Sequence, residues 1–490
     1  MKTASKHKSR FEVELTDFTG GVCTVLGPSE IPENCLRDAL NIKHSRTKGL
    51  RTRDGLTQVS NTALPAAANI TAMTFYNDQY ILAGDDNNLY YLDATYDPIL
   101  IGVLSGVPHF VEFNDTLIIC DGGVARYYNS VATYGFITGP KALFGVVRSN
   151  RLYLGGDEDN PSRLWFSNVN DPNDFTTERE AGYIDIDPGD GGILVSLQLL
   201  GDLIIIIKDG ERRSIHQLAG EIPDEFDRTA LVEGISGINR NLIINGGGDI
   251  FLGSREGIIS LKTYMINHKL DEAIITNYIQ DIYQTYFNSS AYMGHCYEDS
   301  QVWLQLSGYA KIFTYDLLTG AWFPYQFKVP WASFAYTNGF THIGGQDGHL
   351  YRLDITKIDD DDIAFDIYVK TWFYDFKSWR TKLMKRMRFF ASARMGCTGN
   401  LKIYINSDGS NEILTEAFQL SISDDMLVDD ADMLVADADF LIDSSFEELW
   451  NKRINFRFKN VSFGIEDIVI DTYPAYIRGF MISAALLGSL

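Results

Sequence analysis

The stretch Met73-Thr74-Phe75-Tyr76-Asn77-Asp78-Gln79-Tyr80-Ile81-Leu82-Ala83-Gly84 decides the fold. Its two apolar runs flank the polar pair Asn77-Asp78, a pattern typical of a β-hairpin. A polar turn at residues 85–88, a third run at 89–93 and a fourth apolar run at 99–104 follow it. Four short strands separated by polar turns have the layout of one β-propeller blade.

The same pattern returns further along the chain. The copies span residues 110–129, 146–168, 197–218, 242–262, 293–325 and 334–354. Their spacings of about 35 to 52 residues are typical of radial β repeats, in which neighbouring blades bury each other's faces. The sequence therefore predicts a mainly β fold, a β-propeller of six or seven blades with seven favoured. One or two β-sandwiches are the alternative, because their hairpins give the same local pattern.

The regions outside the repeats divide the chain into domains. Residues 1–65 lack the blade pattern, and we expect an extended N-terminal arm there with one short helix near residues 34–40. The propeller is expected over residues 66–358. The run Asp359-Asp360-Asp361-Asp362 repels itself and indicates a linker. Strand patterns in residues 363–490 then predict a C-terminal β-sandwich-like domain.

Two further segments depart from the strand pattern. Leu270, Ile274, Tyr278 and Ile282 recur at helical spacing, which predicts a short helix within residues 270–287. Residues 421–448, inserted in the C-terminal domain, carry ten acidic residues and no basic one. That acidic insertion is interpreted as a solvated hairpin or as a docking segment for a basic partner.

The charge balance restricts the function. The chain has 42 Lys and Arg against 65 Asp and Glu, a formal net charge of −23. Proteins that hold nucleic acid through its phosphates are basic, so this chain is expected to meet DNA only as a repulsive wall or through small local patches. The longest apolar run, Leu203 to Ile207, is too short to span a membrane, and the basic N-terminus has no apolar segment typical of a secretory signal.

Catalytic and metal-binding motifs are missing from the sequence. It contains no HExxH, GxSxG or Walker A motif, and its eight histidines have no metal-ligand spacing. The five cysteines are scattered and are expected to be reduced and buried, as in a cytoplasm. The alternating carboxylates of residues 185–192 lack the glutamate of an EF-hand loop, so a glycine turn between strands is preferred to a calcium site. We therefore predict a protein that is not an enzyme and has no cofactor or metal.

Two basic clusters interrupt the acidic background, one in the arm and one within residues 377–388 of the last domain. The candidate contact residues belong to the first cluster and are Lys43, Arg46, Lys48, Arg51 and Arg53. Such a cluster suits assembly contacts with an acidic neighbouring surface or contacts with DNA phosphates. A merely solvated arm explains it equally well.

The order of several short motifs suggests a family. They are Asp17-Phe18-Thr19-Gly20-Gly21-Val22, Ile31-Pro32-Glu33-Asn34-Cys35-Leu36-Arg37-Asp38-Ala39-Leu40-Asn41-Ile42, Gly49-Leu50-Arg51-Thr52-Arg53-Asp54-Gly55-Leu56 and Arg163-Leu164-Trp165-Phe166-Ser167 with Asn170-Asp171-Pro172-Asn173-Asp174-Phe175. Together they resemble the tail hub or nozzle proteins of short-tailed bacteriophages, also called packaged-DNA stabilisation or tail tubular proteins. The segments 190–193, 203–210, 253–258 and 371–376 extend the resemblance over most of the chain. The acidic insertion has no counterpart in it.

The resemblance implies a β-propeller and a homo-hexameric ring below the portal and adaptor rings of the virion. Its expected partners are further copies of the chain, the portal or adaptor ring, tail fibre or needle proteins, and packaged double-stranded DNA passing without sequence-specific contacts. Such a protein is assembled in the host bacterial cytoplasm and resides in the tail. An acidic duct wall fits this role, because repulsion prevents DNA from sticking.

Two rival functions remain open at this point. A tail-associated propeller glycosidase or depolymerase would need paired carboxylates converging in a pocket. A peptide-binding propeller scaffold would be a stable monomer without virion association.

Overall fold

The structure is a computed structural model that falls into two compact units. One unit comprises Thr57–Ile312 and Val329–Leu353, and the other comprises Met1–Leu56, Phe313–Lys328 and Asp354–Leu490. We call them the propeller unit and the sandwich unit. The described residues are 10–27, 30–45, 49–65, 68–130, 133–329, 331–375, 381–393, 397–405, 411–420, 448–458, 461–470 and 475–486.

The first four blades of the propeller unit are four-stranded antiparallel sheets, each formed by strands consecutive in sequence. Their strands are Ile70–Tyr76, Gln79–Gly84, Asn88–Leu92 and Pro98–Val103 in blade 1; His109–Phe113, Thr116–Cys120, Val124–Tyr128 and Tyr134–Lys141 in blade 2; Phe144–Arg148, Arg151–Gly155, Arg163–Phe166 and Gly182–Asp185 in blade 3; and Gly192–Leu200, Leu203–Gly210, Ser214–Ala219 and Asp227–Glu233 in blade 4. The hairpin of residues 73–84, on which the prediction was based, therefore forms the first two strands of blade 1.

The last three blades are less regular. Blade 5 consists of Ile243–Gly246, Asp249–Gly253 and Ile258–Ser260, followed by the helices Leu261–Asn267, Leu270–Ala273 and Gln280–Tyr286. Within the propeller unit, blade 6 contributes the hairpin of Tyr292–Cys296 and Gln301–Gln305, and blade 7 has the strands Trp331–Thr337, Phe340–Gly345 and Leu350–Asp354. The helix predicted over residues 270–287 is present as two short helices joined by the 3₁₀ turn Asn277–Ile279.

The first strands of the seven blades form a closed ring. Each contacts the first strand of the next blade, and Trp331–Thr337 of blade 7 contacts Ile70–Tyr76 of blade 1. Apolar side chains fill the spaces between blades; Ile118 and Leu152, for example, belong to one buried cluster from blades 2 and 3. The prediction of a β-propeller is confirmed. The described first strands form a ring of seven, so the propeller has the seven blades that the sequence favoured.

Hydrogen bonds close the ring where its two ends meet. The N–H of Val59 donates to the carbonyl of Leu350 at 2.7 Å, and the N–H of Leu64 donates to that of Gly348 at 2.9 Å. In return the N–H of Leu350 donates to the Ser60 hydroxyl at 2.9 Å. The segment that enters the propeller is thus tied to the last blade, so the chain enters and leaves the ring side by side.

A buried histidine lies in the same seam. His342 Nδ1 lies 3.1 Å from the carbonyl of Phe340, which can only accept, so this nitrogen carries the proton. Burial lowers the pKa of His342 and favours the neutral imidazole, in which Nε2 accepts from the Tyr80 hydroxyl at 3.1 Å. Because Tyr80 belongs to blade 1 and His342 to blade 7, this bond spans the closure.

The sandwich unit contains two sheets whose strands are mostly antiparallel. One includes Glu448–Phe458, Lys382–Ala393 and Ala475–Leu486; the other includes Tyr368–Thr371, Val461–Ile470, Cys397–Ile405 and Asn411–Leu420. The rings of Phe463 and Phe480, one from each sheet, stack with centroids 5.3 Å apart. Burial of such aromatic side chains holds the two sheets face to face.

The described residues between 10 and 56 differ from the predicted extended arm, because they add strands to both sheets. Arg10–Leu15 pairs with Ala475–Leu486, and Cys35–Leu40 pairs with Tyr368–Thr371. The segment predicted as a helix near residues 34–40 is therefore a strand, and that prediction was wrong. Its apolar residues lie at both ends, a pattern that suits a helix face as well as a doubly buried strand. Gly21–Val22, Ile42–His44, Leu50–Thr52 and Gly55–Gln58 are further short strands of this region.

The acidic run does not form a linker. Asp359–Asp360 pairs antiparallel with Ile363–Ala364, and Asp360 is completely buried. The prediction treated the four aspartates alike, whereas one of them has a buried cationic partner in the fold. The acidic insertion, apart from Glu448 at the start of a strand, lies outside the described residues.

Replacing Ser60 with alanine is expected to lower the free energy of unfolding of the propeller unit by about 1–3 kcal/mol, because the Leu350 N–H loses its acceptor in a buried position. The midpoint of thermal unfolding, followed by calorimetry, measures the effect. Thr62→Ala is the matched control, since the Thr62 hydroxyl makes an exposed bond to Asp97. Equal small decreases in the unfolding midpoint of Ser60→Ala and Thr62→Ala would contradict the hydrogen-bonded closure.

The buried His342 at the closure also predicts that the stability of the propeller unit depends on pH. Burial lowers the pKa of His342 to about 4, and the nearby Arg352 charge acts in the same direction. The folded state keeps this imidazole neutral, whereas the unfolded chain takes up a proton below about pH 6.5. The stabilisation is therefore complete above about pH 6.5 and is lost as the pH falls toward 4.

Urea unfolding at a series of pH values measures this dependence. In His342→Gln the curve of stability against pH is expected to be flatter than in the unchanged protein. It does not become level, because burial, followed by the Arg240 charge, also lowers the pKa of His109 to about 4. Curves of equal slope would contradict the prediction.

Candidate functional site

The predicted contact residues lie within the sandwich unit, and those described are engaged internally. Lys43 Nζ is 2.6 Å from Asp54 Oδ2, and both side chains are buried. Arg51 pairs with the other oxygen of the same carboxylate. Arg46 and Lys48 lie outside the described residues. Phosphate contact is thus not the role of the Lys43 ammonium in this structure, because a buried carboxylate already binds it.

Arg53 is held even more completely. Its guanidinium forms two bonds with Asp360, at 2.9 and 2.7 Å. The remaining three N–H groups donate to Asn41 Oδ1 at 2.9 Å and to the carbonyls of Asp54 and Gln326 at 2.8 and 3.1 Å. All five donors of the side chain therefore have acceptors, and the expectation of an exposed contact does not fit Arg53.

Two phenyl rings enclose this guanidinium. Its central carbon lies 4.3 Å from the ring centroid of Phe327 and 3.8 Å from that of Phe365. Stacking of this kind is favourable for a planar, weakly hydrated cation. Sequence reasoning singled out Arg53 but missed Asp360, and nothing in a run of four aspartates indicates which one is buried.

The three N-terminal motifs meet at one segment of the sandwich unit, residues 322–326. Gly21 has φ of +66° and lies so close to the backbone of Trp322 that a Cβ atom would be 2.6 Å from its carbonyl oxygen. Asn41 donates its N–H to the carbonyl of Pro324 at 3.0 Å and accepts the N–H of Gln326 at 2.8 Å. Arg53 binds the carbonyl of Gln326. Each motif thus supplies a residue that this packing requires.

The glycine turn of residues 185–192 binds the ammonium group of a buried lysine, Lys208. The Lys208 ammonium, fully buried, lies 2.9 Å from Asp190 Oδ1 and donates to the carbonyls of Ile186 and Asp187 at 2.6 and 3.1 Å. Arg228 binds the Asp187 carboxylate at 2.7 Å. The carboxylates of Asp187 and Asp190 that suggested calcium are therefore bound by basic side chains of blade 4.

Another basic side chain lies at the end of the ring where the first strands begin. Arg240, just before blade 5, donates to the carbonyl of Val107 before blade 2 and to that of Leu143 before blade 3. Burial lowers the pKa of Arg240. The residue links three blades across the mouth of the ring, and the sequence offered no signal for it.

Two other kinds of site are absent from the described ranges. No group of three or more His, Cys, Asp or Glu side chains there could hold a metal ion. No helix in the same ranges is long and apolar enough to cross a membrane. Cys23, Cys35, Cys120 and Cys296 are buried free thiols.

Comparisons with known proteins give only distant likenesses. No protein-family model matches the chain, and no curated protein does. Among solved structures, YCF48 from Cyanidioschyzon merolae is similar over 61% of this chain and 98% of its own, with 12% identity and a TM-score of 0.40. The WD40 β-propeller domain of Doa1 (61% and 97%, 9% identity, TM-score 0.40) and BamB from Moraxella catarrhalis (64% and 93%, 9% identity, TM-score 0.39) are comparable. Such distant likenesses carry no information on activity or partners.

The buried contacts of Arg53 predict that a single substitution of its partner Asp360 strongly destabilises the sandwich unit. Asp360→Asn leaves the guanidinium buried without its counter-charge and is expected to lower the free energy of unfolding of the sandwich unit by about 3–5 kcal/mol. Denaturant unfolding measures it. The control Asp366→Asn removes a carboxylate that is 71% exposed and paired with Lys328, and should cost about 0–1 kcal/mol.

A double variant separates the charge from the packing. Arg53→Met combined with Asp360→Leu removes both charges and should be more stable than Asp360→Asn alone, because no unpaired ion remains buried. If Asp360→Asn behaves like Asp366→Asn, the ion pair does not hold the unit together.

Proposed function

We propose that the chain is a structural protein of the virion of a short-tailed bacteriophage. In this proposal six copies form a ring in the tail, below the portal and adaptor rings. The ring extends the channel for DNA, retains the packaged genome and docks fibre or needle proteins. The chain performs no catalysis in this role and needs no cofactor.

The observation that carries the proposal is the convergence of the three N-terminal motifs on residues 322–326. Gly21, Asn41 and Arg53 are far apart in sequence but contact the same short segment. Motifs that resemble a family in order and spacing are expected to share such a framework role when the resemblance rests on common architecture. None of these three residues presents reactive groups to a substrate, which favours a framework over an active site.

The distribution of charge gives independent support. Lys43, Arg53 and Lys208 are buried, and each is paired with a carboxylate inside its unit. Since these pairs remove equal numbers of positive and negative charges, the excess of acidic groups behind the net charge of −23 is left unchanged. An acidic wall repels DNA and lets it slide, whereas exposed basic patches would retain it.

The native assembly tests the proposal. We expect light scattering and negative-stain imaging of the purified protein to give rings of about six copies of the 55.1 kDa chain with a central channel. The protein should also add to tail particles that lack this component and restore their retention of DNA. A 55.1 kDa monomer that does not add to such particles would overturn the proposal.

The same preparation distinguishes the rival functions. Release of sugars from host envelope polysaccharide would favour a depolymerase, and loss of that release on substitution of a carboxylate pair would establish it. The structural role predicts no sugar release by rings that assemble normally.

A further inference from the structure

The guanidinium of Arg240 has unused hydrogen-bonding capacity at the mouth of the ring. Its Nη1 and Nη2 each donate one N–H, to the carbonyls of Leu143 and Val107. An arginine side chain has five N–H groups, so three of those of Arg240 have no acceptor among the described residues. Because the two carbonyls belong to the starts of different blades, they hold the guanidinium in place while leaving these donors free.

The charge of Arg240 is not neutralised by an ion pair with any described carboxylate. Burial lowers the pKa of Arg240, and the opposing influence of Asp121 is smaller. The Asp121 carboxylate is itself bound by Arg126 at 3.3 Å and by the N–H groups of Ser105 and Gly123 at 2.7 and 3.1 Å. Charges withdrawn from water are ordinarily paired in proteins, so the Arg240 site favours an anionic ligand.

The free donors of Arg240 are open to the solvent. Nε of Arg126 and Nε of Arg151 are enclosed nitrogens without a hydrogen-bond partner in the described structure, whereas Nε of Arg240 is not enclosed. An anion that enters the mouth from the solvent can therefore reach the guanidinium without displacing a protein group.

A histidine adds a further donor near the guanidinium. His109, at the start of blade 2, has its pKa lowered to about 4 by burial and then by the Arg240 charge, so the ring is neutral at pH 7 and close to Arg240. Its Nδ1 accepts the N–H of Gly145 at 3.4 Å, which leaves the proton of the neutral ring on Nε2.

The same mouth also offers apolar surface. Val107 and Leu143, whose carbonyls bind Arg240, have side chains that are 42% and 40% exposed. A guanidinium binds a carboxylate through two parallel hydrogen bonds, and apolar groups beside that carboxylate can cover the exposed side chains. A polyanion such as nucleic acid fits less well, because the chain around this single cation carries a net charge of −23.

We propose that the mouth of the ring binds the carboxylate of an apolar peptide segment from a partner protein. The carboxylate accepts hydrogen bonds from the free N–H groups of Arg240, and the apolar side chains of the peptide contact Val107 and Leu143. The site lies within one copy of the chain, so this inference goes beyond the proposed ring and does not depend on it.

Isothermal titration calorimetry with a small peptide tests the site. The probe is dileucine with an acetylated N-terminus and a free C-terminal carboxylate, and the same peptide with a C-terminal amide is the control ligand. The carboxylate form is expected to bind at least about tenfold more tightly, because only this form is an anion that pairs with the guanidinium. Equal binding of the two forms, no binding of the carboxylate form, or binding of inorganic phosphate in its place would overturn the inference.

Variants assign the binding to Arg240. Arg240→Gln should raise the dissociation constant of the carboxylate peptide at least about tenfold. Arg240→Lys keeps a charge without the planar fork and should also bind more weakly. Arg148→Gln is the matched control, because Arg148 likewise donates to two carbonyls, those of Leu218 and Gly220, at the opposite end of the first strands.

Circular dichroism verifies which of these variants are folded. Weaker binding by the folded Arg240 variants, together with unchanged binding by Arg148→Gln, supports the inference. If a folded Arg240 variant binds the carboxylate peptide as tightly as the unchanged protein, or if Arg148→Gln loses binding equally, the inference is wrong.

Discussion

Closure of the seven-bladed ring is the constraint on which the rest of the structure depends. The first strand of blade 1 must meet that of blade 7, and residues 59–64 must bind residues 348–350 for the ends to stay together. A propeller closed in this way returns the chain to the place where it entered. The segments before and after the ring can then fold together, and the pairing of Arg10–Leu15 with Ala475–Leu486 shows that they do.

Buried cationic side chains paired with carboxylates occur in both units. Arg53 in the sandwich unit and Lys208 in the propeller unit each bind a carboxylate and two backbone carbonyls. A buried ion pair contributes little net stability, but loss of one partner is costly, so each pair favours one arrangement of its neighbours over others. The acidic character of the chain is then a property of its surface, where the proposed duct wall requires it.

The sequence predicted local structure well and long-range structure less well. Hairpins with polar turns, such as the one at Asn77-Asp78, depend on neighbouring residues, so the blades could be located from the sequence. Several strands near the N-terminus have partners more than 300 residues away, as in the pairing of Leu36 with Thr371. No local pattern specifies such a partner, which is why an arm and a helix were expected there. Asp360 was missed for the same reason: its burial depends on Arg53, 307 positions earlier.

Amide hydrogen exchange at the closure tests the central claim most directly. The N–H groups of Val59, Leu64 and Leu350 bond across the closure, and those of Ile81 and Leu82 lie inside blade 1. If the ring is closed as described, the closure amides exchange as slowly as the blade amides, because both open only when the propeller unfolds. Closure amides that exchange at the rate of exposed loops, while Ile81 and Leu82 remain protected, would contradict the account.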